Sequence, residues 1–188
     1  MRKRRITFNS PVVLSFVLMS LGVMVLNYLT AGVSNRLLFM TYHSSLASPL
    51  TYVRFFTHVL GHQGWSHYIG NMMYLLLLGP MLEEKYGSRA IIEVILITGL
   101  VTGLVTWLIF PNIALCGASG VVFAFIMMTS FTGFKEGEIP VTVILVAVIY
   151  IGQQIYEGIF VQDNISNMAH ILGGIVGAVA GYTLNKKK

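Results

Sequence analysis

Long apolar runs separated by short polar interruptions dominate the chain. Six windows of roughly 20 apolar residues, the length that crosses a hydrocarbon core, occupy 11–30, 66–85, 89–110, 117–134, 139–157 and 166–184. They predict an all-α bundle of six membrane-spanning helices, with short connections of the kind antiparallel neighbours need. One connection is different. Residues 31–65 are too long for a structureless turn, and they set Leu37, Leu38, Phe39, Tyr42, Tyr52, Phe55 and Phe56 among Arg36 and Arg54. That mixture predicts short helices lying in the outer interface, partly inserted. No internal repeat or low-complexity linker breaks the pattern, so residues 1–188 are expected to form a single domain.

Composition agrees with a membrane protein: 55% of residues are hydrophobic and 10% charged, against roughly 25% charged in soluble domains, and the mean hydropathy is +0.76. The net charge of +5 reads as a topology signal. If the N-terminus is cytoplasmic, Arg2, Lys3, Arg4, Arg5, Lys85, Arg89, Lys135, Lys186, Lys187 and Lys188 lie inside and only Arg36 and Arg54 outside, as the positive-inside rule requires. Both termini are then cytoplasmic, and the expected location is the cell membrane. The first window follows MRKRR, yet its apolar run is too long for a signal-peptide core and no A-x-A-like site follows, so it is read as a retained helix. No nucleic-acid motif accompanies the basic residues, and the lone Cys116 has no internal disulfide partner.

With this topology the second, fourth and sixth windows all run inward, and residues near their starts share a depth. His67 and Asn71 stand near the start of the second, Ser119 opens the fourth, and His170 lies in the first turns of the last. Four-residue spacing puts His67 and Asn71 on one helix face, where polar side chains must turn away from lipid. Taken singly, Ser119 fits a close helix contact and His170 a buried structural hydrogen bond. Together they suit a nucleophile and its general base, with Asn71, His67 and backbone N–H groups as oxyanion donors. Gly117 and Gly120 leave room for a peptide backbone. The single aspartate, Asp163, falls in the loop before the last helix, so the constellation is a dyad. Gly173, Gly177 and Gly181 recur every four residues on the last helix and predict a close helix contact.

Other chemistries fit less well. GASGV lacks the second glycine of the G-x-S-x-G elbow and no strand precedes it. His43, His58, His62 and His67 cluster as metal ligands do, but there is no H-E-x-x-H and no carboxylate between Arg36 and Leu82. A metal or haem protein would be sensitive to chelators; the dyad reading needs no metal or cofactor. Intramembrane aspartyl proteolysis needs paired aspartates that the chain does not contain.

Three segments in order, HVLGHQGWSHYIGN (58–71), GASG (117–120) and AHILGG (169–174), resemble the rhomboid family of intramembrane serine proteases. The resemblance implies a compact six-helix fold with the serine beneath a water-filled cavity open to the outside. It implies that Ser119 is the nucleophile, His170 the base, and His67 and Asn71 the oxyanion-stabilising pair, with His58 and His62 on further family histidines, His58 structural. Arg54 matches the arginine of a Trp-Arg pair, although Val53 replaces the tryptophan. Glu83 and Gly87 match an E-x-x-x-G that ties loops together, and Phe123 stands where a tyrosine commonly stacks on the histidine. Loop 159–165 is expected as a lid and helix 139–157 as a lateral gate. Implied substrates are transmembrane proteins whose helix tops unwind readily. The rivals are a proteolytically silent relative that binds or escorts membrane proteins, and a metal or haem membrane protein.

Overall fold

The computed structural model describes residues 8–133, 138–139, 141–160 and 164–186. In chain order it contains α1 (Pro11–Leu29), α2 (Val33–Leu38), β1 (Thr41–Tyr42), α3 (Pro49–Thr57), α4 (Trp65–Tyr86), α5 (Ser88–Ile109), β2 (Ala114–Leu115), α6 (Ser119–Ser130), α7 (Val141–Phe160) and α8 (Asn164–Lys186). A helix thus falls on each apolar window. Among the described residues, Pro11–Leu29, Ser88–Ile109 and Asn167–Lys186 are long and apolar enough to cross a membrane by length and composition. Segment 31–65 folds into two short helices as expected, and adds a strand the hydropathy pattern does not reveal. Asp163 and residues 161–162 of the expected lid lie outside the described residues, as do Arg2–Arg5, Lys135, Lys187 and Lys188.

The fourth window is where expectation and structure part. It predicts helix from 117 to 134, whereas α6 spans 12 residues from Ser119, about 18 Å at 1.5 Å per residue. Gly117 has φ +138, a conformation outside the helical region, and its amide is drawn away to the His58 carbonyl at 3.0 Å. The helix therefore starts at the serine.

Polarity is turned inside out. Thr98, Thr102 and Thr106 on α5 are buried, while Leu77 and Leu108 are 71% and 67% exposed. Apolar side chains outward and hydroxyls inward suit a lipid surround. At the centre stands α6, apolar around its whole circumference, with Gly120, Val121, Val122, Ala124, Phe125, Met127 and Met128 buried; such a helix must be enclosed. Val121, Val122, Phe125 and Met128 share a core with Val13 and Phe16 of α1, Leu75 of α4 and Ile91 of α5.

On its remaining side α6 meets α8 through the glycine stripe. A Cβ at Gly173 would lie 2.0 Å from the Gly120 carbonyl oxygen, and one at Gly177 would lie 2.1 Å from that of Ala124. At Gly181 it would meet the Phe131 ring at 2.9 Å. The two backbones touch, as the spacing predicts.

The start of α1 is closed by an acid from far along the chain. Pro11 lacks an N–H, and the Val12 and Val13 amides donate to the two Glu83 carboxylate oxygens at 3.0 and 3.1 Å. Leu14 bonds back to the Ser10 carbonyl, so every amide of the first turn is satisfied. Ser88 Oγ also donates to Glu83, at 2.6 Å, linking the start of α5.

Gly177→Ala would press a methyl into the Ala124 backbone, and overpacking of this kind costs about 2 kcal/mol or more. We expect a clearly lower melting temperature in detergent, with Gly22→Ala unchanged because nothing lies within 4 Å of that position. Equal melting of both variants would contradict the packing described.

Candidate active site

Residues 115–118, in front of Ser119, are all buried. Buried irregular backbone needs a partner for each polar group, and the segment between α2 and α4 supplies them. Strand β1 pairs antiparallel with β2, Thr41 opposite Leu115 and Tyr42 opposite Ala114. Gly117 donates to the His58 carbonyl at 3.0 Å. The Ala118 amide points to His62 Nε2 at 3.4 Å, while His62 Nδ1 lies 3.1 Å from the Leu60 carbonyl. These contacts together require the tautomer with the proton on Nδ1.

That segment is itself held firmly. Arg54 is buried; its Nε donates to the Leu37 carbonyl at 2.9 Å and its guanidinium lies 4.5 Å from the centre of the Tyr42 ring. Val53 removes the expected tryptophan, and Tyr42 from β1 supplies an aromatic face instead. Asn35 donates to the His62 carbonyl at 3.0 Å. His58 Nε2 donates to the Gly99 carbonyl of α5 at 3.1 Å. His43 stacks on Trp107 with centroids 4.9 Å apart, and the Trp107 indole donates to the Ser44 carbonyl at 2.9 Å. Of the four histidines considered as metal ligands, His43 and His58 have separate surroundings, while the His62 and His67 rings meet edge to face with centroids 5.1 Å apart. Among the described residues, no group of three His, Cys, Asp or Glu side chains is placed to hold a metal.

Ser119 and Phe123 lie four apart on one face of α6, and the Phe123 ring packs on His170 with centroids 4.3 Å apart. The backbone next to Ser119 faces the same stretch of α8: a Cβ at Gly120 would stand 3.3 Å from the Ala169 carbonyl oxygen. Serine and histidine therefore occupy facing surfaces of two helices in backbone contact, and both are partly accessible. His67 closes the other side. Its ring lies so near Gly117 that a Cβ there would be 2.6 Å from Cε1, so glycine is needed at 117 for space as well as for φ. One turn down α4, Asn71 is buried, and its Nδ2 has no hydrogen-bond partner among the described residues. Glu83 sits 16 residues beyond His67, about 24 Å along α4, and serves the opposite end of the molecule. The Arg54 and His58 side chains hold the segment between α2 and α4.

The helical core, the apolar exterior and the inward-facing threonines of α5 define an α-helical membrane protein. The sequence profile of the rhomboid domain matches residues 49–187, and the chain belongs to the rhomboid family. It is 32% identical over 160 residues to rhomboid-related protein 2 of Mus musculus, covering 74% of this chain and 53% of that protein. It is 24% identical over 147 residues to the chloroplastic rhomboid-like protein 11 of Arabidopsis thaliana, covering 71% and 52%. With the rhomboid protease GlpG of Salmonella newport (strain SL254) it shares 30% over 139 residues, covering 72% and 50%. The chain spans about half the length of these relatives.

Burial, with the neighbouring His67 ring, pushes the His62 pKa from 6.5 down to about 4. Burial does the same to His58, also to about 4. Both rings are neutral in the fold. Because the unfolded chain takes up these protons from about pH 6.5 downward and the folded chain does not until about 4, stability falls across that window and is flat above it. Melting temperatures measured from pH 8 to pH 4 should drop only below about 6.5, with a shallower acid limb in His62→Gln. An acid limb unchanged by that substitution would remove His62 from the account.

Proposed function

We propose that the chain is an intramembrane serine endopeptidase that cuts transmembrane segments of membrane proteins near the outer face through a Ser119–His170 dyad. The observation that supports this reading is the Phe123 ring, one turn along α6 from Ser119, packed on His170 across the α6–α8 contact with centroids 4.3 Å apart. The proposal includes a single domain of six spans over 1–188, both termini cytoplasmic, in the cell membrane. Its partners are single-pass or other transmembrane substrates and the bilayer, with no nucleic acid, cofactor or metal.

In the proposed reaction, Ser119 Oγ attacks the scissile carbonyl carbon while neutral His170 takes the hydroxyl proton. Charge develops on the carbonyl oxygen, which needs donors already in place. Asn71 Nδ2, buried without a partner among the described residues, suits this role, as does an N–H of His67. The backbone contribution narrows to the first turn of α6, because the Gly117 and Ala118 amides are engaged elsewhere. The first bond within the helix is from the Val122 amide to the Ala118 carbonyl, which leaves the Ser119 amide as an orphan donor at a positive helix end. His170 then gives its proton to the leaving amine. Water, deprotonated by His170, hydrolyses the acyl-enzyme and restores Ser119.

A substrate helix must first unwind, since its amides are otherwise hydrogen-bonded and its carbonyl shielded. Segments with Gly, Pro or polar residues near the outer face and a small residue at the cut are therefore the proposed substrate class. Helix α7 serves as the gate through which they enter. The proteolytically silent alternative fits less well, because such a protein has no use for the serine and histidine this chain retains.

The test is cleavage of a model single-pass substrate by purified protein in detergent. Ser119→Ala and His170→Ala should each lose about 10³-fold or more in kcat, Asn71→Ala about 10², and a chelator should change nothing. Cutting that survives in Ser119→Ala, with folding intact, would sink the mechanism.

A further inference from the structure

Asn167 lies on α8 three residues before His170 and takes no part in the reaction as written above. It is only 5% exposed, and neither its Nδ2 nor its Oδ1 finds a hydrogen-bond partner among the described residues. A buried carboxamide with both ends unpaired is a cost to the fold. Such a group invites a ligand able to offer a donor and an acceptor together.

Its place on α8 narrows the ligand. At 100° per residue, Asn167 lies 60° round the helix from His170 and one turn further out. On that stripe, Ala178 packs with Val143 of α7 and Phe131. The Ala169 carbonyl, which meets Gly120, lies on the other side of His170. The amide thus flanks the proposed dyad on the side toward α7, where substrate is proposed to enter. Whatever arrives there is an unwound stretch of peptide, and unwinding in lipid strips its N–H and C=O groups of partners with no water to replace them. A carboxamide matches one such peptide group at both ends.

We infer that Asn167 is a substrate-positioning residue: its carboxamide pairs with a backbone amide of the extended substrate segment, Nδ2 donating to a carbonyl and Oδ1 accepting from an N–H. This rests on the protease reading and adds the group that recognises the substrate's main chain. The amide is covered in the substrate-free chain. Because the recognition is of backbone, it tolerates many side chains while demanding local unwinding.

Asn167→Leu and Asn167→Ala in the full chain distinguish this role, read by three measurements. Cleavage of a single-pass membrane substrate reports the complete reaction. Labelling of Ser119 by a small fluorophosphonate reports the dyad without the substrate backbone. Melting temperature reports the fold. We expect kcat/KM for the membrane substrate to fall about tenfold or more, labelling to stay within about twofold of wild type, and the melting temperature of Asn167→Leu to hold or rise because an unpaired polar group has gone. Unchanged cleavage in both variants overturns the inference. So does a parallel loss of labelling, which would place the amide in the dyad's own support, or a lowered melting temperature in Asn167→Leu, which would make it structural. Wild-type protein that neither labels nor cleaves removes the protease reading, and this inference with it.

Discussion

The pairing of buried, irregular backbone in front of Ser119 is the constraint on which the site depends. Helix α6 can begin in the middle of the molecule only because the residues that lead into it are already hydrogen-bonded to something other than a helix. The His58 carbonyl takes the Gly117 amide, His62 Nε2 faces the Ala118 amide, and β1 pairs with β2. Removing these partners would leave Gly117 and Ala118 to seek helical partners, and Ser119 would become an interior helix residue with its amide consumed. The segment between α2 and α4 is therefore a splint for the proposed nucleophile. Its own rigidity, through Arg54 on Tyr42 and His43 on Trp107, is part of the site's geometry.

A second constraint is the approach of α6 to α8. In lipid there is little hydrophobic gain in bringing two apolar helices together, so contact must come from fit. The glycine stripe allows carbonyl oxygens of α6 to lie where side chains of α8 would otherwise stand. The same contact sets Phe123 against His170. Fold stability and alignment of the proposed dyad thus draw on one interface.

Much of this is legible in the chain. Hydropathy locates the six apolar windows because lipid imposes length and composition, and four-residue glycine spacing marks a face that must meet another backbone. Polar residues at a common depth are legible for the same reason: in an apolar window they stand out. Ser119 as the opening residue of α6 is legible too, but its cause is not, because Gly117 is bent by a hydrogen bond to His58, 59 residues earlier, that no local pattern records. Two-residue strands are too short for any periodicity. Val53 reads as a defect in the segment between α2 and α4, yet Tyr42 supplies the aromatic face from a different element. Asn167 carries no signal in sequence, since only burial without a partner among the described residues sets it apart from an ordinary polar residue near a helix start.

The link between Glu83 and α1 has a consequence for how the protein is made. The Val12 and Val13 amides have their acceptors in a residue 71 and 70 positions later, so α1 emerges from the ribosome and enters the bilayer with its first turn incomplete. Only when α4 has been synthesised and delivered can that end be sealed, and Ser88 then fastens the start of α5 to the same carboxylate. Assembly therefore has a built-in order: α1 waits, α4 closes it, and the start of α5 is fastened to the same carboxylate.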